Sequence, residues 1–278
     1  MVTMDSLLAS LTLESTGPDR YRAPNADSGH GVVFGGQLLG QAIMAGLAGT
    51  EAMAVKTVHT VFARSADPDQ PVEIDVDPMH GGRTFASATV TIHQGARLCT
   101  RSLVLLSADD DDLIRHADSP AHPSDPDQAS TMGDGDGDWE IRVVDGVDIS
   151  DPEAVGPADL DVWTRFVGAP DDDPAVNQAL LAFATDGFLI GTAMRPHAGV
   201  GQAQAHRTLS TGVVSHTLTF HEPCRAGDWL LLSHHSPYAG RGRSYGRADV
   251  FTEDGRLVAS FVQDAMIRAM PAQSGGQL

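Results

Sequence analysis

Over residues 84–92 polar and apolar side chains alternate with a period of two. Phe85, Ser87, Thr89 and Thr91 interleave with Ala86, Ala88, Val90 and Ile92. Successive side chains of a strand point to opposite faces, so this pattern predicts a half-buried strand. From Gly36 to Gly46 the period changes. Leu39, Ile43 and Leu47 recur at the spacing of one helical face, which predicts a helix. Four strand-like runs surround or follow it, over 56–64, 72–79, 84–93 and 97–107, with turns at His80-Gly81-Gly82-Arg83 and Gln94-Gly95. The later chain repeats the arrangement. Residues 174–184 place Val176, Leu180 and Phe183 at core spacing, and strand-like runs follow over 213–220, 228–236, 243–252 and 256–268. The turn Glu253-Asp254-Gly255 matches Gln94-Gly95, and His216-Thr217-Leu218-Thr219-Phe220 matches His59-Thr60-Val61-Phe62. Each half is therefore one helix with an antiparallel sheet. Alone, either half would leave an edge strand open, so the pattern predicts an α+β fold in which the two halves pair.

Between the halves the pattern is lost. Asp109-Asp110-Asp111-Asp112 and the Asp-Gly run 133–138 bracket a stretch rich in Pro, Asp, Ser and Ala. Little there buries apolar surface, so it reads as a solvated connector. The expected organisation is a first unit over 1–107, an acidic connector over 108–158 and a second unit over 159–278. A calcium loop starting at Asp134 would need Gly at its sixth position and Glu at its twelfth, where Trp139 and Asp145 stand.

Charge narrows the possible partners. Lys and Arg number 18 against 37 Asp and Glu, a net charge of −19, so nucleic acid and anionic membranes are repelled over most of the surface. No apolar run is long enough to span a membrane, and the opening MVTMDSLLAS lacks the basic and apolar regions of a secretory signal. Two cysteines, Cys99 and Cys224, argue against a disulfide scaffold, and a cytoplasmic location is expected. Cys99 reads as a small core residue. The 12 histidines show no metal-ligand spacing, so no metal is expected. The chain is also read as lacking the Gly-x-Ser-x-Gly elbow of a serine hydrolase.

The run Val33-Phe34-Gly35-Gly36-Gln37-Leu38-Leu39-Gly40-Gln41-Ala42 resembles the acyl-CoA thioesterase II family. So do His216-Thr217-Leu218-Thr219-Phe220-His221-Glu222-Pro223, Asp228-Trp229-Leu230-Leu231, and the closing hairpin from Asp254 to Gln263. The resemblance covers about residues 20–107 and 160–270. It implies a double hotdog, two helix-plus-sheet units merged into one continuous sheet. It implies acyl-CoA as substrate, no cofactor, and assembly as a homodimer or larger. It also implies a site of Asp, Thr or Ser, and Gln that activates water. Thr185-Asp186-Gly187 matches at Asp186 and Val262-Gln263-Asp264 at Gln263, but the hydroxyl position holds Val213. Thr211 and Ser215 share Val213's face in a regular strand and are the possible substitutes. Backbone N–H groups at Gly187 or Gly36 are oxyanion candidates. Arg241, Arg243 and Arg247 are candidates for coenzyme A phosphates, because arginine forks match phosphate oxygens. Two readings follow. One is a hydrolase of fatty acyl-CoA; the other is an acyl-CoA or acyl-chain binding protein that lost its hydroxyl at Val213.

Overall fold

A computed structural model describes residues 3–26, 29, 31–50, 52–121, 124–133 and 137–270. The first unit holds α1 (Met4–Leu11), β1 (Glu14–Gly17), β2 (Arg20–Ala23), α2 (Gly35–Leu47), β3 (Ala54–Phe62), β4 (Val72–Gly81), β5 (Phe85–Gln94) and β6 (Arg97–Ser107). Next come β7 (Ser130–Thr131), β8 (Trp139–Val143) and β9 (Asp159–Phe166). The second unit continues with α3 (Pro174–Thr185), α4 (Leu189–Met194), β10 (Leu209–Phe220), β11 (Leu230–Gly240), β12 (Arg243–Thr252) and β13 (Leu257–Ala269). Among the described residues the strands make one 13-stranded sheet, ordered β1-β2-β4-β5-β6-β3-β10-β13-β12-β11-β9-β8-β7. This is the double hotdog: an antiparallel sheet wrapped around two central helices.

The halves meet at β3 and β10, which pair antiparallel from Ser215↔Val61 to Thr219↔Thr57. Each half thereby covers the other's open edge. His59 Nδ1 lies 2.7 Å from Thr217 Oγ1, and Lys56 Nζ donates to the Phe220 carbonyl at 2.6 Å. The two hairpin turns of the repeat also form, with Gly95 at φ +56 and Gly255 at φ +84. Both lie in the left-handed region that glycine adopts without a Cβ penalty.

Inside the sheet α2 and α3 pack antiparallel. A Cβ added at Gly36 would sit 2.3 Å from the Phe183 carbonyl oxygen, and one at Gly40 would sit 3.1 Å from that of Ala179. The glycine-rich run of α2 thus lets two helix backbones touch. Asp173 begins α3 by accepting from Val176 N–H at 3.0 Å, with Pro174 in the first turn. Cys99 is fully buried in the core, as read from the sequence.

The connector is more structured than its composition predicts. Within 108–158 the strands β7 and β8 extend the sheet beyond β9. Ser124 Oγ accepts from Trp163 Nε1 at 3.0 Å, and Ala129 packs against a cluster of Trp163, Trp229, Leu231 and Phe251. The acidic flanks mask short apolar segments that dock on a sheet already formed. The residues that would begin a calcium loop, 134–136, lie outside the described residues.

Candidate active site

Asp186 is the C-cap of α3, set there because Asp186-Gly187 ends the helix. Its carboxyl enters the start of α2. Gly36 N–H bonds it, and a Cβ added at Gly35 would fall 2.6 Å from Oδ2. Gly35 therefore has to be glycine for the carboxylate to approach the helix backbone. Around this point Phe34, Trp139, Phe166, Phe183 and Phe188 form a chain of ring contacts 4.8 to 6.4 Å apart. Asp186 Oδ1 is closed to solvent and has no hydrogen-bond partner. Loss of water pushes the Asp186 carboxyl up to about 7, partly opposed by the Gly36 N–H.

Beneath it lies the inner face of the sheet. His216 on β10 pairs with Gln263 on β13, and Gln263 pairs with Gly246 on β12. His216 is fully buried and Gln263 nearly so. Neither amide atom of Gln263 nor His216 Nδ1 makes a hydrogen bond of good geometry, yet the Gln263 side chain is near enough to the ring to raise the His216 imidazole against burial. The other ring nitrogen, Nε2, lies 3.0 Å from Thr185 Oγ1. Burial pushes the His216 imidazole down to about 3, so it is neutral. Thr185 thus ties the His216 and Gln263 pair to the end of α3, one residue before Asp186. Helix α4 covers the sheet beside Gln263, since a Cβ at Gly246 would meet Leu189 Cδ2 at 2.5 Å.

The other sequence candidates fare differently. Strand β10 carries a bulge between Val213 and Ser215. Val213 opposes Ala265 and so shares the inner face of Gln263, one pleat away. Ser215 turns to the outer face, where its hydroxyl donates to Asp264 Oδ2 at 3.1 Å. Thr211 opposes Ile267, four residues along β13 from Gln263, roughly 13 Å by strand rise. Neither replaces the missing hydroxyl. Gly187 lies between α3 and the start of α4 at Leu189, but its own N–H already donates to Ala184 O at 3.3 Å. Gly36 does lie in the first turn of α2, but its N–H is engaged by Asp186. Arg243 and Arg247 alternate with the buried Ser244, Gly246 and Ala248, so they leave the sheet on the face opposite Gln263. Arg241 sits at the tip of the β11–β12 hairpin with φ +55. Among the described residues no three His, Cys, Asp or Glu gather as a metal site, and no helix is long and apolar enough to cross a membrane.

Reading the sequence missed Thr185, His216, Trp139 and Ser244 as parts of the site. His216 was legible as the inward member of an alternating run with Leu218 and Phe220. Trp139 lay hidden in the acidic stretch. Gly242-Arg243-Ser244-Tyr245-Gly246 does have Gly-x-Ser-x-Gly spacing. It lies in a β-hairpin rather than on a strand-to-helix turn, so it is no nucleophile elbow. Ser244 is 3 % exposed on the inner face and opposes Ala265 from the side away from Val213. Its hydroxyl is thus diagonal to Gln263, as Val213 is.

Family models for the acyl-CoA thioesterase N-terminal domain and C-terminal domain match residues 23–107 and 116–267. The chain belongs to the acyl-CoA thioesterase family. Mouse acyl-coenzyme A thioesterase 8 is 25% identical over 299 residues, covering 96% of this chain and 90% of its own. Acyl-CoA thioesterase 2 of Haemophilus influenzae is 24% identical over 289 residues, covering 95% and 98%. Among solved structures, an acyl-CoA thioesterase II from Mycobacterium marinum superposes with TM-score 0.79 at 25% identity, covering 98% of this chain and 99% of that one. The fold is thus shared with the Mycobacterium marinum thioesterase along nearly the whole of both chains.

Proposed function

We propose that the protein hydrolyses fatty acyl-CoA to free fatty acid and coenzyme A, with Asp186 and Gln263 activating water. The carrying observation is that Asp186 Oδ1, both amide atoms of Gln263 and His216 Nδ1 are buried without hydrogen bonds, with His216 paired to Gln263 and tied through Thr185 to the helix end that carries Asp186. Native interiors rarely leave such atoms unpaired, so the group fits a site that awaits water and substrate. Water attacks the thioester carbon while Asp186 takes its proton. The tetrahedral intermediate then expels the coenzyme A sulfur, and the proton passes from Asp186 to it. A carboxyl near 7 serves both steps at neutral pH. Because Gly36 N–H holds the carboxylate, the Gly35 N–H of the same helix turn is assigned to the oxyanion. The aromatic wall of Phe34, Trp139, Phe183 and Phe188 suits an acyl chain. Arg241, at the tip of the β11–β12 hairpin, is kept for the coenzyme A phosphates, and Arg243 and Arg247, which leave the sheet on the outer face, are not. Assembly as a homodimer or larger belongs to the same proposal, and a monomer by light scattering at micromolar concentration opposes it.

Val213 favours a second reading, a binding protein that has lost its chemistry. Release of free thiol from palmitoyl-CoA, followed with a thiol reagent, separates the two. Turnover supports the hydrolase. Silence across chain lengths with retained acyl-CoA binding supports the binding protein.

A further inference from the structure

Thr185 Oγ1 lies 2.8 Å from the Ala182 carbonyl oxygen and 3.0 Å from His216 Nε2. A hydroxyl carries one proton and a carbonyl oxygen none. Two buried oxygens at that separation need the proton between them, so Thr185 donates to Ala182. Towards His216 it can only accept, and Nε2 must carry a proton. The ring is buried and neutral, which leaves Nδ1 a bare acceptor. Across the strand pair stands Gln263, near enough to act on the ring, with both amide atoms buried and neither in a hydrogen bond of good geometry. The oxygen and nitrogen of such an amide are distinguished by the network around them, and a bare ring nitrogen takes the NH₂ side.

We propose that His216 is a positioning residue: its Nδ1 accepts from the Gln263 amide N–H and so turns Gln263 Oε1 towards the attacking water. The donors then run in one direction. Gln263 gives to His216, His216 to Thr185, and Thr185 to the α3 backbone. Oε1 accepts one proton of the water while Asp186 takes the other, leaving the water's lone pair free for the thioester carbon. An amide turned the other way would offer the water a donor and occupy that lone pair. The inference rests on the proposed Asp186 and Gln263 site and adds to it the element that sets the amide.

The test combines ring ¹⁵N NMR with steady-state hydrolysis of palmitoyl-CoA by folded variants, checked by thermal melting. The NMR is expected to show His216 protonated at Nε2 and bare at Nδ1. His216→Phe, which keeps a ring but removes the acceptor, is expected to lower kcat about 10-fold with KM changed less than about 2-fold. His216→Asn, whose amide oxygen reaches near the Nδ1 position, restores part of that loss. Added to Gln263→Ala, His216→Phe costs little more, because residues that act through one another are not additive. The inference is overturned by a protonated Nδ1, by wild-type kcat in folded His216→Phe, or by the full loss recurring in the Gln263→Ala background. Asp186→Asn separates the two levels. If that variant keeps wild-type kcat the general-base reading fails, whatever the NMR of His216 shows.

Discussion

At pH 8 the Asp186 carboxylate is charged beside a wall of aromatic rings, and this sets activity against stability. Its ordinary value is 3.8 and burial moves it to about 7. Between those values the folded chain holds a proton that the unfolded chain has lost, so stability falls as pH rises through the window. The penalty is complete above about 7 and amounts to roughly 4 kcal/mol as an upper estimate. Under the proposed mechanism activity runs the other way, because a general base works only when ionised. Wild-type kcat/KM is therefore expected to rise with pH up to about 7. Asp186→Asn is expected to lower kcat by about 10²–10⁴-fold. In melts it should raise Tm at pH 8 and leave it nearly unchanged at pH 4. A variant with full activity and no gain at pH 8 would contradict both halves of the argument. The hydroxyl question is also settled at this scale. Val213→Thr adds a hydroxyl one pleat from Gln263, and a gain of about 2–10-fold in kcat is expected. Ser244→Ala removes the inner-face hydroxyl on the other side of Ala265, and a loss of similar size is expected.

Helices α2 and α3 meet where two neighbouring glycines do different work. At Gly36 an added Cβ strikes the Phe183 carbonyl of the facing helix, which is backbone and cannot turn aside. At Gly35 it strikes Asp186 Oδ2, a side-chain atom that can rotate away. Gly36→Ala is therefore expected to cost about 1–3 kcal/mol in denaturant unfolding, as overpacked cores do. Gly35→Ala should unfold more nearly like wild type but lose kcat more than about 10-fold, by displacing the carboxylate. Equal effects of the two substitutions on stability and on rate would refute this division. Among the elements, α2, α3 and the eight predicted strands were legible, because each carries its period over several turns or residues. Helix α4 spans only Leu189–Met194, too short for a helical period to declare itself. Strands β7 and β8 sit next to Asp-rich flanks, and composition averaged them into the connector, while β9 fell in the second unit without being read as a strand.

Among the described residues, at the scale of the whole fold, the buried His216 and His234 rings and the Asp186 carboxyl shape the response between pH 4 and 8. His216 and His234 are lowered by burial to about 3 and about 4. Below 6.5 the unfolded chain binds protons that these rings refuse, so stability rises with pH from about 4 to 6.5. Asp186 opposes this as a single group against two, then dominates between 6.5 and 7. The net charge of −19 adds self-repulsion at higher pH. Maximum Tm is therefore expected near pH 6.5, and a monotonic rise in Tm from pH 4 to 9 would refute it. The seam between halves acts at the same scale. Strands β3 and β10 would be open edges in separated halves, and pairing them makes one sheet continuous over both units.

The chain's periodicity by itself determined two helix-plus-sheet repeats and their pairing, since burying one face of each element leaves few other arrangements. Its family resemblance put forward Asp186 and Gln263 as the proposed site. What only the tertiary structure decided is which atoms face which. The β10 bulge turns Ser215 outward and leaves Thr211 far from Gln263, and a bulge depends on pairing with a strand some fifty residues away. Strand alternation sends Arg243 and Arg247 to the outer face only once the inner face is known. Gly36 reads as a free helix-start donor until Asp186 arrives from the other half of the chain. The tautomer proposed for His216 follows from the Thr185 hydroxyl proton being taken within α3 by Ala182, and from the approach of His216 Nε2, a distance that exists only after α3 packs on β10.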